Sequence, residues 1–187
     1  MNKVFDFKDR HKLDDPERQK EMPSEHVLDL IRLDSGHVFL DIGAGTGYFS
    51  IPALKKVGEK GKVIAADISA QMLLEIGEKT GNPRNLLLIE TTQNEIFLPS
   101  LSVDRILMSM VLHEIEEQER YLKDITDILR EDGIMTFVEW KKIETGNGPP
   151  NRHRISQEEL NRMATKAGLV LQGTHQYDQV YVSLFKK

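Results

Sequence analysis

Residues 39–50 read FLDIGAGTGYFS: an apolar run interrupted by Asp41, glycine at the alternate positions 43, 45 and 47, then two aromatics and a serine. Glycine has no Cβ and adopts positive φ freely, so this spacing describes a tight turn whose backbone can approach a ligand. A glycine turn alone is a weak signal, and its neighbours give it meaning. Upstream, Val38–Ile42 has the β-branched and aromatic composition of a buried strand. Downstream, a regular helix is expected from about Ser50, with Pro52 in its first turn, where the missing N–H is tolerated. Strand, glycine turn and helix in that order suit one wall of a nucleoside-binding crevice, with helix N–H groups aimed at the negative end of the ligand; a plain tight strand-to-helix turn, with Asp67 an unrelated exposed acid, is the competing reading.

Further apolar runs at Val63–Ala66, Leu86–Ile89, Val103–Met108 and Ile134–Val138 read as strands buried on both faces. Between them apolar residues fall three and four apart, at Met72, Leu73 and Ile76, and at Tyr121, Leu122, Ile125, Ile128 and Leu129. That is helical spacing, and Asp132-Gly133 reads as the stop of the longer helix. Strand alternating with helix implies a parallel sheet wrapped by helices. Asp67 closes the second strand about 20 residues past the turn, where an acid commonly receives ribose hydroxyls. The rhythm changes near the end: a helix from about Ser156 precedes Leu169–Tyr177 and Val180–Phe185, which flank Asp178-Gln179 at antiparallel-hairpin spacing. At the other end, residues 1–23 read as an extended charged arm, followed by a helix over Ser24–Leu33.

Composition narrows the function. The 187 residues are 39% hydrophobic and 29% charged, as expected of a globular domain with a real core. A net charge of -5 argues against the broad basic face of a nucleic-acid binder. No apolar run approaches the roughly 18 residues of a membrane span, and the N-terminal stretch is too polar for a signal peptide, so the expected location is cytoplasmic. With no cysteine there is no disulfide, thiolate metal site or thiol nucleophile.

The stretches LDIGAGTGYFS, VIAADIS, VDRILMSMVLHEI and LREDGIMTFVEWKK together resemble a class I S-adenosylmethionine-dependent methyltransferase. The likeness is greatest to the small bacterial type similar to the ubiquinone/menaquinone methyltransferases, and it is carried by residues 37–140. Gly43-Ala44-Gly45-Thr46-Gly47 after Asp41 has the G-x-G-x-G spacing of that family, not the G-x-G-x-x-G of dinucleotide dehydrogenases. The resemblance implies an α/β, Rossmann-like, doubly wound and mainly parallel seven-stranded sheet with a C-terminal antiparallel hairpin. Residues 1–36 would form an arm and helix capping the site, and residues 37–187 the methyltransferase domain, the two making a single folding unit.

The same resemblance implies S-adenosyl-L-methionine as cofactor and assigns its contacts. Its methionine end lies on Gly43, Ala44, Gly45, Thr46 and Gly47, with Asp41 orienting that loop. Asp67 accepts the ribose hydroxyls, and Ile68 and Met72 pack on the adenine. Many relatives carry Gly-Asp-Ala after the third strand, whereas this chain has Thr91-Thr92-Gln93. Thr92 or Gln93 can still hydrogen-bond the adenine, but without a carboxylate. The backbone near Met108 and Ser109 is expected to face the methionine ammonium, with Met108 as a plain core residue the other reading.

His113 lies just beyond the fourth strand, at the end of the sheet where open α/β folds bind ligands, and is the candidate catalytic base. A satisfied structural histidine is the competing reading. Glu114 beside it does not make a metal site, because adjacent side chains diverge and no further ligand cluster is evident. The stretch FVEWKKIETGNGPPNRHRIS after the fifth strand is long and punctuated by glycine and proline, which suits either a lid or a solvated loop. As a lid it places Trp140 against a planar acceptor, and Lys141, Arg152, His153 or Arg154 on an anionic group.

Several acceptors are disfavoured. Cytosine C5 methylation and arsenite methylation as usually performed need cysteines, and MSMV replaces the Asp/Asn-Pro-Pro-Tyr signature of amino-directed DNA enzymes. A recognisable carboxylate set for a catechol-type magnesium site is also missing. The expected function is methyl transfer to a small-molecule acceptor. A catalytically silent S-adenosylmethionine-binding partner protein and a nicotinamide-dependent oxidoreductase are the alternatives.

Overall fold

A computed structural model describes Phe5, residues 7–144, Gly146 and residues 148–187. Residues 1–4 and 6 of the arm, and Thr145 and Asn147 of the long loop, lie outside the described residues. The helices and strands run α1 (Pro16–Glu21), α2 (Ser24–Leu30), β1 (Val38–Ile42), α3 (Ser50–Val57), β2 (Lys62–Asp67), α4 (Ala70–Thr80), β3 (Leu86–Glu90) and β4 (Val103–Ser109). The second half continues with α5 (Gln118–Ile128), β5 (Leu129–Trp140), α6 (Gln157–Lys166), β6 (Val170–Gln176) and β7 (Val180–Lys186). A 3₁₀ turn occupies Phe7–Lys12.

The strands form one seven-stranded sheet in the order β3-β2-β1-β4-β5-β7-β6. β1 to β5 pair in parallel, while β7 is antiparallel to both β5 and β6. Strand order reverses between β1 and β4, whose ends meet at Ile42 and Met108. The connections leave these two strands in opposite directions, so a crevice opens at their C-terminal ends. The glycine turn begins at that point.

Alternation within the strands builds two cores. Leu40, Ile106, Met108 and Phe137 pack with Leu122 and Ile125 of α5 and Leu160 of α6. Their neighbours Phe39, Leu107 and Val138 face the other way, against Leu28 of α2 and Ala53 of α3. Leu73 and Ile76 of α4 cover Ala65 of β2. Local chemistry sets the helix ends: Ser156 and Glu159 form a reciprocal capping box on α6, and Gly81 takes the left-handed conformation that ends α4.

Four local expectations are corrected. The arm is helical, because Asp15 accepts the Glu17 N–H at 2.9 Å and Pro16 occupies the first position of α1. α2 stops at Leu30, short of Leu33, and Arg32 just beyond it has φ 51°. β3 is half-exposed because it is an edge strand, with Leu87 open to solvent. α5 ends at Ile128, not at Asp132-Gly133: Leu129 turns to extended backbone and pairs with Val103 at the start of β5. Gly133 instead serves the irregularity between the Val103 and Arg105 pairings, where a Cβ would overlap the Leu129 side chain.

Candidate active site

The turn after β1 is held by its own protein before any ligand arrives. Gly43, Gly45 and Gly47 have φ of +70°, +54° and +93°. A Cβ on Gly43 would overlap Val111, and one on Gly45 would come within 2.9 Å of Leu13. The Gly43 and Ala44 N–H groups both donate to the Ala66 carbonyl, at 2.8 and 3.0 Å. The Gly45 N–H donates to Asp67 Oδ2 at 2.8 Å, so the acid ending β2 fixes the turn ending β1.

Two carboxylates stand at this junction. Asp41 is buried; its Oδ2 accepts the Ser50 hydroxyl at 2.6 Å, which ties β1 to the start of α3. Its Oδ1 is buried with no partner among the described residues. Burial pushes its pKa up to about 6, opposed by the Ser50 bond and the charge of Arg18. Asp67 also has a raised pKa, again through burial, with the N–H groups of Ser69 and Gly45 opposing. Its Oδ1 accepts from Ser69 at 2.9 Å, and the residue still lines the crevice.

The crevice encloses about 900 Å³. Gly43, Ala44, Gly45 and Thr46 form its floor, and Ile68 and Met72 stand beside Asp67. Ile68 is 38% exposed there, an apolar side chain offered to the cavity. Thr92 and Gln93 line the same side, and the Gln93 amide donates to the Glu114 carbonyl at 2.6 Å, joining the two walls. Gly47 lies behind, its missing Cβ leaving space for Ile51 and Ile76. The Met108 side chain is fully buried in the core, and the cavity takes Ser109, Met110 and Val111 instead. Met110 has φ +59°, unusual for a side chain of its size, and its N–H donates to the Val138 carbonyl at 2.7 Å.

His113 lines the opposite wall on a 3₁₀ turn after β4. Its Nδ1 lies 2.7 Å from Oε2 of Glu139, which projects from β5 and is fully buried. Burial lowers the histidine pKa, but the hydrogen bond and charge of Glu139, with Glu114 adding, leave it raised overall. Glu114 is pushed up to about 7, first by burial, with Glu139 and Asp67 adding to it. With Glu139 ionised, Nδ1–H donates to it and Nε2 is the ring nitrogen left for proton transfer.

The long loop is tied back on itself. Arg154 is buried, donates to the carbonyls of Pro149, Lys141 and Ile143 at 2.8 to 3.0 Å, and lies 5.4 Å from the Trp140 ring centre. Trp140 and His153 line the cavity. Arg152 is exposed, directs Nε to His153 Nε2 at 3.2 Å, and is not part of the lining. Sequence reasoning missed Glu139, although an acid inside the apolar run TFVEW was a usable signal. It also missed Arg18, for which a polar arm gave no signal.

This arrangement is a Rossmann-like sheet with a ligand crevice at the point where its strand order reverses. Residues 40–137 match the family described as Methyltransferase domain. A solved S-adenosylmethionine-dependent methyltransferase from Aquifex aeolicus is 30% identical, covers 97% of this chain and 98% of its own, and superposes with a TM-score of 0.90. The ubiquinone/menaquinone biosynthesis C-methyltransferase UbiE of Hydrogenovibrio crunogenus is 26% identical over 63% of this chain and 48% of the relative. Its counterpart in Salmonella arizonae is 30% identical over 62% and 47%. The match thus spans about half the length of these curated relatives. The chain belongs to the S-adenosylmethionine-dependent methyltransferase family, whose cofactor is S-adenosylmethionine.

The residues present fit that cofactor. The cavity volume lies within the range of small-molecule sites. Asp67 lines it with carboxylate lone pairs beyond those used by Gly45 and Ser69, Ile68 and Met72 supply an apolar wall, and Asp41 carries an unpartnered buried oxygen behind the turn. Among the described residues no group of three or more candidate ligands is placed to hold a metal ion, and no helix is long and apolar enough to cross a membrane.

Proposed function

We propose that this chain transfers a methyl group from S-adenosylmethionine to a small-molecule acceptor, with His113 as the general base. The cofactor, when bound, supplies a methyl already made electrophilic by its sulfonium. The chain has then to bind, orient, exclude water and remove one proton. Asp67 holds the ribose, Ile68 and Met72 pack on the adenine, and Thr92 or Gln93 meets its edge. Asp41 keeps the turn in register through Ser50. Glu139 holds the His113 ring so that Nε2 takes the proton of an acceptor oxygen or nitrogen. Trp140 forms the acceptor wall, and the described part of residues 1–36 caps the site. Support for this cap comes from Leu13, which sits over Gly45, and from Asp14, which accepts the Thr46 hydroxyl at 2.6 Å.

The observation that carries the reading is that His113, tethered by buried Glu139, lines the same cavity as the glycine turn. A nicotinamide oxidoreductase is disfavoured by the glycine spacing and by antiparallel β7. Incubating the protein with methyl-labelled cofactor and fractionated cell extract separates the remaining alternatives. The proposal expects a labelled small molecule from at least one fraction. Cofactor binding with no labelled product in any fraction would point to a silent binding protein.

A further inference from the structure

The cavity carries a cation, Arg18, that has no ion-pair partner among the described residues. Arg18 of α1 reaches in beside the glycine turn, with its guanidinium 4.0 Å above the Tyr48 ring and 5.8 Å from that of Phe49. Its donors are poorly used. Nη1 reaches the Leu13 carbonyl at 3.3 Å and Nη2 the Ser109 hydroxyl at 3.5 Å, both at the long end of hydrogen bonding. Nε is buried with no partner among the described residues. Lys12, the other lysine or arginine of the lining, is paired with Asp9 at 2.8 Å. Asp15 and Glu17, which also line the arm side, are engaged by the Glu17 N–H and by Lys20. Asp41 is close enough for its charge to be felt at Arg18, yet the two form no ion pair among the described residues.

A half-buried guanidinium with idle donors is costly unless an anion completes it, and its planar fork is matched to a carboxylate. The place of that anion is set by the turn: Arg18 lines the cavity with Gly43 and Thr46, and its Nη2 reaches Ser109 at the end of β4, across β1 from β2, the strand that leads to Ile68 and Met72. We propose that Arg18 receives the carboxylate of the cofactor's methionine moiety, and that the arm thereby recognises the amino-acid end of the ligand. The inference rests on S-adenosylmethionine being the cofactor and adds a residue outside the glycine turn to its binding.

Calorimetric titration of wild type and Arg18→Gln with two ligands tests it. S-adenosylhomocysteine carries the amino-acid end; 5′-methylthioadenosine has the same nucleoside and a thioether but no carboxylate. Arg18→Gln is expected to weaken the first by about tenfold or more and the second by no more than about twofold. Arg18→Lys, which keeps the charge without the fork, should fall between. Equal weakening of both ligands would mean that Arg18 only orders the arm, and unchanged affinity for S-adenosylhomocysteine would remove it from the site; either result overturns the proposal. Wild type that binds neither ligand would overturn the cofactor reading itself, and this proposal with it.

Discussion

Nδ1 of His113 stands 2.7 Å from Oε2 of Glu139, and neither side chain is more than marginally exposed. A buried carboxylate held against a histidine does two things: it fixes the ring through Nδ1 and raises the affinity of the ring for a proton. Glu139→Gln keeps an acceptor for Nδ1–H and removes the charge. A base works in its neutral form, so turnover rises with pH through the histidine pKa. The mutant's acid limb should therefore move to lower pH, because the charge that raised the pKa is gone. An unchanged pH profile at reduced rate would make Glu139 a packing residue only.

His113→Gln removes the base altogether. Turnover should fall roughly a hundredfold or more while cofactor affinity, measured by calorimetry, stays near wild type. Retention of most of the rate with the same pH profile would leave positioning by the crevice as the whole mechanism.

Asp67→Ala is expected to act twice. Loss of the ribose acceptor should weaken cofactor binding at least about tenfold, since a charged hydrogen bond contributes on the order of 1.5 to 3 kcal/mol. Loss of the partner of the Gly45 N–H should also destabilise the free protein by about 1 to 3 kcal/mol, read from urea unfolding. A folded mutant of unchanged affinity would move the ribose contact elsewhere.

Asp41 is kept at a cost to stability. Its folded pKa of about 6 lies above the ordinary 3.8, so the folded chain holds this proton more tightly than the unfolded chain does. Its contribution is then complete below pH 4 and is lost as the pH rises through 6. Asp41→Asn retains an acceptor for Ser50 without the charge. It should be more stable than wild type by roughly 1 to 3 kcal/mol at pH 8, the difference shrinking towards zero at pH 4. A difference independent of pH would assign the effect to packing.

Gly43→Ala meets both a left-handed φ and the Val111 side chain. A loss of roughly 2 to 4 kcal/mol is expected, with part of it recovered when Val111→Ala is added. Absence of recovery in the double mutant would leave backbone strain as the sole cause.

The strands and the site floor could be read from the sequence because their signals are local. Alternation of Phe39 and Leu40 between two cores, glycine at 43, 45 and 47, and Asp67 at a strand end each depend on a few neighbouring residues. The missing parts depend on contacts between distant segments. α1 has no buried residue and stays in place through its packing on the turn, where Tyr48 donates to the Met22 carbonyl and Arg18 lies over the Tyr48 ring. The end of α5 follows from Leu129 pairing with Val103, which no periodicity within 118–133 encodes. Glu139 gains its meaning only when β5 lies beside β4 and brings it to His113.

The crevice at the ends of β1 and β4 is the site expected to hold the adenosyl cofactor. Thermal unfolding with S-adenosylhomocysteine, S-adenosylmethionine or NAD, paired with calorimetry, tests this most directly. A ligand bound only by the folded chain stabilises it by about 2.7 kcal/mol at a hundred times its Kd. Both adenosyl compounds should therefore raise Tm and bind one per chain, and NAD should do neither. A rise in Tm with NAD, and none with either adenosyl compound, would contradict the account.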